Sequence, residues 1–211
     1  MGTPKGYTTK DKIEDFLNIS ITGEVDDYIL AAEDIIDRLT GRNFVAGTVA
    51  KVRIYNGDET QELLIDDCVE ITKVERGDDE WGDDFTEITA GGSDGYFLEP
   101  VNNKDENNLV IKPYRKIILR SKVWIGGVQN AKITAKWGYS TSAPEDISFA
   151  ATVFASGMYN AKRGGSGDIK SEHIGGYMVT YDVNEDGVSY GDIQRAMTIL
   201  DSYKKFSLGE I

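Results

Sequence analysis

Ala31-Ala32-Glu33-Asp34-Ile35-Ile36-Asp37-Arg38-Leu39-Thr40-Gly41-Arg42-Asn43-Phe44 closes one kind of pattern, and Val49-Ala50-Lys51-Val52-Arg53-Ile54-Tyr55 opens another. Up to Thr40 the apolar residues recur at helical spacing. Val25, Ile29, Ala32, Ile36 and Leu39 mark one face, widened by Tyr28 and Ile35. Gly41 suits the left-handed residue that ends a helix, and Phe44 is expected to fold back on the core. From Val49 the period is two: Val49, Lys51, Arg53 and Tyr55 alternate with Ala50, Val52 and Ile54, the pattern of a strand. Strand-like and turn-like segments continue until helical spacing returns after Pro144. The fold expected is therefore α+β: a small bundle of about four helices with a large antiparallel β insertion between the second and third. Residues 1–47 hold an arm and the first bundle helices, 48–140 the β-rich insertion, and 141–211 the helices, hairpin and tail that complete the bundle. The linkers are short, which describes an insertion rather than a tethered domain, and no repeat of fixed period is present.

Outward from the opening stretch, residues 1–7 read as a flexible arm, with Gly2, Pro4 and Gly6. Thr8 is the expected N-cap of a short helix, with Asp11 at its third position and Ile13, Phe16 and Leu17 as its stripe, ending near Asn18. Downstream, Asn56-Gly57-Asp58 signals a turn and residues 61–65 a returning strand. Residues 63–69 read as strand–turn–strand about Asp66-Asp67, and 69–74 alternate again. Shorter strands are expected at 85–88, 96–98, 116–119 and 131–137, with a mobile polar loop at 102–108. A third helix opens with Ser142 as cap, Pro144 in the first turn and Glu145 closing a capping box. Its stripe is Ile147, Ala150, Ala151, Phe154 and Met158, it stops near Arg163, and small residues such as Ala155 and Gly157 admit a neighbouring helix. A hairpin follows, 169–174 and 177–181 about Gly175-Gly176. The last helix covers 192–206, with Ile193, Ala196, Met197 and Leu200 inside.

The 211 residues carry 36 acidic against 23 basic side chains, a net charge of −13. Such a surface repels nucleic acid, which disfavours gripping DNA but suits a wall past which DNA must slide. A single cysteine, Cys68, forbids an internal disulfide and any cysteine-rich metal site, and its apolar neighbours suggest a buried, inert thiol. No run has the form of a signal peptide, and no apolar stretch approaches the ~20 residues of a membrane span. The expectation is a soluble protein of a reducing compartment, with no membrane partner.

Candidate sites are few. Asp182-Val183-Asn184-Glu185-Asp186-Gly187 matches the opening of a calcium loop, in which Asp182, Asn184 and Asp186 would supply oxygens. The twelfth position, however, is Ile193, and a strand rather than a helix precedes the loop. An ordinary turn before the last helix explains the same residues. The acidic loop Asp78, Asp79, Glu80, Asp83 and Asp84 reads as solvated charge. Trp81 in its midst is either a partner contact or folds back on the sheet. His173 is the only histidine, with no serine elbow and no cysteine in its own segment, so no nucleophilic set is recognisable. Gly164-Gly165-Ser166-Gly167 lacks the Lys-Ser/Thr of a phosphate loop and reads as a flexible loop. No cofactor is expected, and the chain is not expected to be an enzyme.

Three stretches carry a resemblance. The first runs from Tyr7-Thr8-Thr9 to the helix closing in Thr40-Gly41-Arg42-Asn43-Phe44. The second is Ile133-Thr134-Ala135-Lys136-Trp137-Gly138-Tyr139 followed by Pro144-Glu145-Asp146-Ile147 and an alanine-rich helix. The third is Ile169-Lys170-Ser171-Glu172-His173-Ile174-Gly175-Gly176-Tyr177-Met178-Val179-Thr180-Tyr181. In this order they resemble the head–tail connector proteins of tailed bacteriophages, also called adaptor or head-completion proteins. The departure is residues 48–130, a longer β region than the smallest members have. The resemblance implies a structural virion protein: a homo-oligomeric ring, commonly of about twelve copies, docked on the portal protein. Such a ring extends the DNA channel and meets a tail or head-completion protein at the head–tail interface, after assembly in the host cytoplasm. It also implies that the closing helix and tail, with Ile193, Leu200, Tyr203, Phe206, Leu208 and Ile211, dock on the portal. Competing readings are a tail-side or tail-completion component, a calcium-dependent binding module, and an enzyme dependent on His173.

Overall fold

The computed structural model describes residues 2–80, 84–106, 110–163, 170–174, 177–181 and 188–205, with backbone alone at 163, 170–174 and 177–181. Its helices are α1 (Lys10–Leu17), α2 (Asp26–Thr40), α3 (Glu145–Arg163) and α4 (Tyr190–Tyr203). Its strands are β1 (Lys51–Gly57), β2 (Glu62–Gly77), β3 (Phe85–Glu87), β4 (Tyr96–Glu99), β5 (Tyr114–Leu119), β6 (Gly127–Trp137), β7 (Lys170–Ile174) and β8 (Tyr177–Tyr181). The order is the α+β one expected, with the strand-rich region between the second and third helices. Internal contacts separate two units, residues 1–44 with 142–211, and residues 45–141.

In the helical unit α3 is central, with α1, α2 and α4 against it. Sequence spacing gave α3 one apolar stripe, but residues 150–157 are buried without a break. The small side chains Ala150, Ala151, Ala155, Ser156 and Gly157 let neighbours approach on several sides, and a helix enclosed all round loses its polar face. Met158, placed on the stripe, is only half-buried. Two cap assignments shift. Thr9 rather than Thr8 caps α1, accepting from Lys12 N, while Thr8 is buried with its hydroxyl 2.7 Å from that of Thr152. Pro144 O accepts the first helical bond of α3 from Ser148 N, so Ser142 lies outside the first turn. Ser189 and Asp192 form a capping box on α4, which therefore begins at Tyr190. β7 and β8 pair as the expected antiparallel hairpin, with His173 opposite Met178.

The arm is not loose. Glu33, on the buried side of α2 and fully inaccessible, accepts three backbone N–H groups: Lys5 N at 2.7 Å on Oε2, and Gly6 N and Tyr7 N, both at 2.9 Å, on Oε1. A carboxylate removed from water demands such donors. The arm is held further by Lys5 Nζ, which pairs with Asp37 at 2.8 Å and Asp34 at 3.2 Å. Tyr7, 1 % exposed, donates its hydroxyl to Asp37 Oδ1 at 2.5 Å and accepts from Phe44 N at 2.7 Å.

In the β unit, six strands form an antiparallel sheet in the order β1-β6-β2-β5-β4, with β3 added beside β2. The hairpin expected between β1 and the next strand does not form, because β6 lies between β1 and β2. Asn56 and Gly57 are tied across to the β6 side, where Asn56 Oδ1 accepts Gln129 N and Gly57 N donates to Asn130 Oδ1, each at 2.8 Å. The reversal sits later, where Asp58 Oδ1 accepts both Thr60 N and Thr60 Oγ1. The turn expected at Asp66-Asp67 is instead an irregularity within one 16-residue strand, β2, whose register slips between Leu64 and Cys68 and again beyond. The polar loop after β4 is anchored by Asn103, 2 % exposed, whose side chain donates to Lys112 O and whose carbonyl accepts Ile111 N.

One face of the sheet closes over Trp124, Ile117, Leu119, Ile133, Val74 and Trp137. Opposite charges pair across strands: Lys136 with Glu70 and Lys116 with Glu62, both at 2.7 Å. The two ends of the unit are fastened within it. Val45 bridges Ser140, Ala46 N donates to Ser140 O at 2.8 Å, and Gly47 N donates to Trp137 O at 3.2 Å. Gly138, at φ +147°, is required there, because a Cβ would lie 2.4 Å from Ala46 Cα.

Glu33→Gln places an amide N–H against the Lys5 N–H and removes a charged acceptor; we expect a loss of about 2 kcal/mol, measured by urea unfolding. Burial, then the hydrogen bond to Asp37, pushes the Tyr7 phenol well above its ordinary 10.0. Burial lowers Lys5, but its bonds and charges with Asp37 and Asp34 outweigh this and leave it above 10.5. Both groups hold their protons more tightly when folded, so their contribution is intact below about pH 10 and is lost as pH rises further. Unfolding midpoints should therefore fall above pH 10, and Tyr7→Phe should flatten that slope.

Candidate assembly surfaces

The Thr40-Gly41-Arg42-Asn43-Phe44 segment is a seat for the end of α4. Gly41 takes the left-handed conformation at φ 66° and its N–H returns to Asp37 O. Thr40 O accepts Lys205 N at 2.9 Å, and Arg42 Nε donates to Tyr203 O at 2.5 Å. Phe44, fully buried, meets the rings of Tyr7 and Tyr203 edge-on at 5.8 and 5.2 Å. Tyr203 also donates its hydroxyl to Asp146 Oδ2 at 2.9 Å. The polypeptide beyond Lys205 thus starts from a fixed point on the helical unit.

The residues assigned to partner binding fall into three groups. Ile193 and Leu200 are 1 % and 0 % exposed, so their side chains serve the bundle itself. Tyr203 is half-buried in the seat. Trp81, Phe206, Leu208 and Ile211 lie outside the described residues, as do Asp182, Asn184 and Asp186 of the calcium-loop pattern and Gly164-Gly165-Ser166-Gly167.

Sequence alternation did not distinguish which side of the sheet is covered. Val52 and Ile54 of β1 are 56 % and 49 % exposed, Leu64 of β2 56 %, and Phe97 of β4 43 %. All but Leu64 stand on β1 and β4, the strands at the two ends of the path. On the other side of β1, Tyr55 packs on Trp137, and the Arg53 guanidinium lies 4.5 Å from the Trp137 ring centre while pairing with Asp66 at 2.5 Å. Glu33 was also missed. Its signal was an acid on the apolar stripe, flanked by Ile29 and Ile36.

Cys68 is fully buried, and burial, then the neighbouring Asp67, pushes its thiol up to about 12, so it is no nucleophile near neutral pH. His173 sits in β7, opposite Met178. In the acidic loop Asp78 accepts Thr86 Oγ1 through both oxygens, and its N–H donates to Asp84 O. Among the described residues no group of three acidic, histidine or cysteine side chains is placed to hold a metal ion. Among them, too, no helix is long and apolar enough to cross a membrane.

No family model and no curated protein matches the chain. Solved structures do. A chain of the neck of an empty gene transfer agent (GTA) particle, computed with C6 symmetry, superposes with a TM-score of 0.55 at 12 % identity, over 100 % of this chain and 96 % of that one. A chain of the neck of the native GTA particle, computed with C12 symmetry, gives 0.52 at 14 % identity with the same coverage. One from the virion of the native particle gives 0.55 at 14 %. At such identities the likeness establishes the fold, and it does so over the whole chain. That fold agrees with the head–tail connector resemblance carried by the three sequence stretches.

Proposed function

We propose that this chain is a structural virion protein: the subunit of an adaptor ring of about twelve copies that docks on the portal, extends the DNA channel and joins the capsid to the tail. The observation that carries the reading is the end-to-end fold likeness to chains from a particle neck, one of them computed with C12 symmetry. Two features support it. The surplus of acid, 36 residues against 23 basic, gives a wall that does not hold passing DNA. The seat made by Thr40, Arg42 and Phe44 fixes the end of α4, and with it the start of an apolar tail bearing Phe206, Leu208 and Ile211. In this reading the tail reaches the portal, the opposite side of the ring meets a tail or head-completion protein, and the role is without catalysis. Rings form in the host cytoplasm, as capsids are completed.

Native mass spectrometry of the full chain, mixed with the portal ring from the same genome, tests the reading. A complex carrying one fixed, ring-like number of copies is expected. Absence of any portal complex would instead favour a tail-side component. Deleting residues 207–211 is expected to weaken portal binding at least tenfold by the same measurement, about 1.4 kcal/mol, and unchanged binding would remove the tail from the contact.

A further inference from the structure

Asn56 is the only asparagine of the chain that precedes a glycine. Such a pair is chemically labile, because glycine leaves the backbone nitrogen after the asparagine unshielded by a side chain. In the reaction the Gly57 nitrogen attacks Asn56 Cγ, and the Cγ–Nδ2 bond breaks. Nδ2 leaves as ammonia, taking the proton from Gly57 N, and a succinimide ring remains. Water then opens the ring to give aspartate or isoaspartate at position 56. The reaction needs a Gly57 nitrogen able to give up its proton and an Asn56 side chain free to turn towards it.

The fold withholds both. β1 meets β6 at Tyr55 with Ala131 and at Gly57 with Gly127, so Val128, Gln129 and Asn130 bulge opposite Asn56 alone. Gln129 takes the left-handed conformation at φ 56°, and its N–H donates to Asn56 Oδ1 at 2.8 Å. Gly57 N donates to Asn130 Oδ1, also at 2.8 Å. Asn130 is 1 % exposed and is itself fixed by its Nδ2, which donates to Ile125 O at 2.7 Å. The attacking nitrogen and the side chain it would attack are thus held by one bulge. The glycine is also required, because a Cβ at position 57 would lie 2.0 Å from Ile125 O.

We propose that Asn56-Gly57 is a latent deamidation site, which Asn130 keeps closed while the β6 bulge lies against β1. Conversion to aspartate adds a negative charge at the end of β1. Conversion to isoaspartate lengthens the backbone by one carbon and breaks the register beyond Tyr55. The chemistry does not depend on the ring reading above. In a particle whose subunits are not replaced, as that reading has it, the block at Asn130 keeps the conversion from accumulating with age.

Peptide mass spectrometry tests this by following residue 56 in the full chain, kept folded in mildly alkaline buffer or unfolded in guanidinium chloride. The unfolded chain is expected to gain the mass of an amide turned acid at Asn56. The folded chain is expected to convert at least about tenfold more slowly, since the reaction must wait for local opening. Equal rates overturn the block, and an unfolded chain that keeps its amide overturns the site. Asn130→Ala, compared at a temperature where it is still folded, is expected to convert about tenfold faster than the unaltered chain, having lost its bonds to Gly57 N and Ile125 O. An unchanged rate overturns the role of Asn130. Hydrogen exchange at Gly57 N needs no variant: it is expected to run at least about tenfold slower than in a free peptide, and exchange at the free-peptide rate overturns the proposal.

Discussion

A carboxylate buried in the middle of α2 organises the helical unit. Glu33 is shut off from water and depends on the three N–H groups of Lys5, Gly6 and Tyr7. An ion so placed is tolerable only while those donors stay in position, so the arm and α2 are held as one piece. Tyr7, fixed by this contact, presents its ring to Phe44 and its hydroxyl to Phe44 N. Phe44 in turn meets Tyr203. The first residues of the chain and the last turn of α4 are thus linked through one buried acid and three aromatic rings.

The helices were largely legible because their signals are local. Ile29, Ala32 and Ile36 repeat at the spacing of a single helix face, and Gly41 marks its end without reference to anything distant. The partners of Glu33 were not legible, because they are backbone amides and every residue except proline has one. The same reasoning applies to β2. Asp66 and Asp67 carry a turn composition, yet Asp66 serves as acceptor for Arg53 and Tyr55 of β1, and the strand continues through them. Which strand lies beside which is a long-range outcome, so Asn56-Gly57-Asp58 suggested a hairpin where β6 intervenes.

The candidate surfaces show a similar division. The Thr40-to-Phe44 segment stood out as a family habit; its physical content, a seat for Tyr203 and Lys205, emerged only from atoms some 160 positions apart in sequence. Ile193 and Leu200 form an apolar stripe, and a stripe has the same pattern whether it faces a partner or its own bundle. Val52 and Ile54 illustrate the reverse case: alternation identified a strand correctly but carried no mark of which side meets solvent.

The β unit is fastened at its own base, where Val45 to Gly47 meet Trp137 to Ser140 with Gly138 allowing the close approach. For the helices, some 95 residues of sheet therefore enter the chain as a single closed loop whose ends are already together, and closure entropy rises only slowly with loop length. Strands can be added to or trimmed from such a module over evolutionary time with little change in the cost of bringing α2 and α3 together. A β region longer than that of the smallest connector proteins is the kind of variation this arrangement permits.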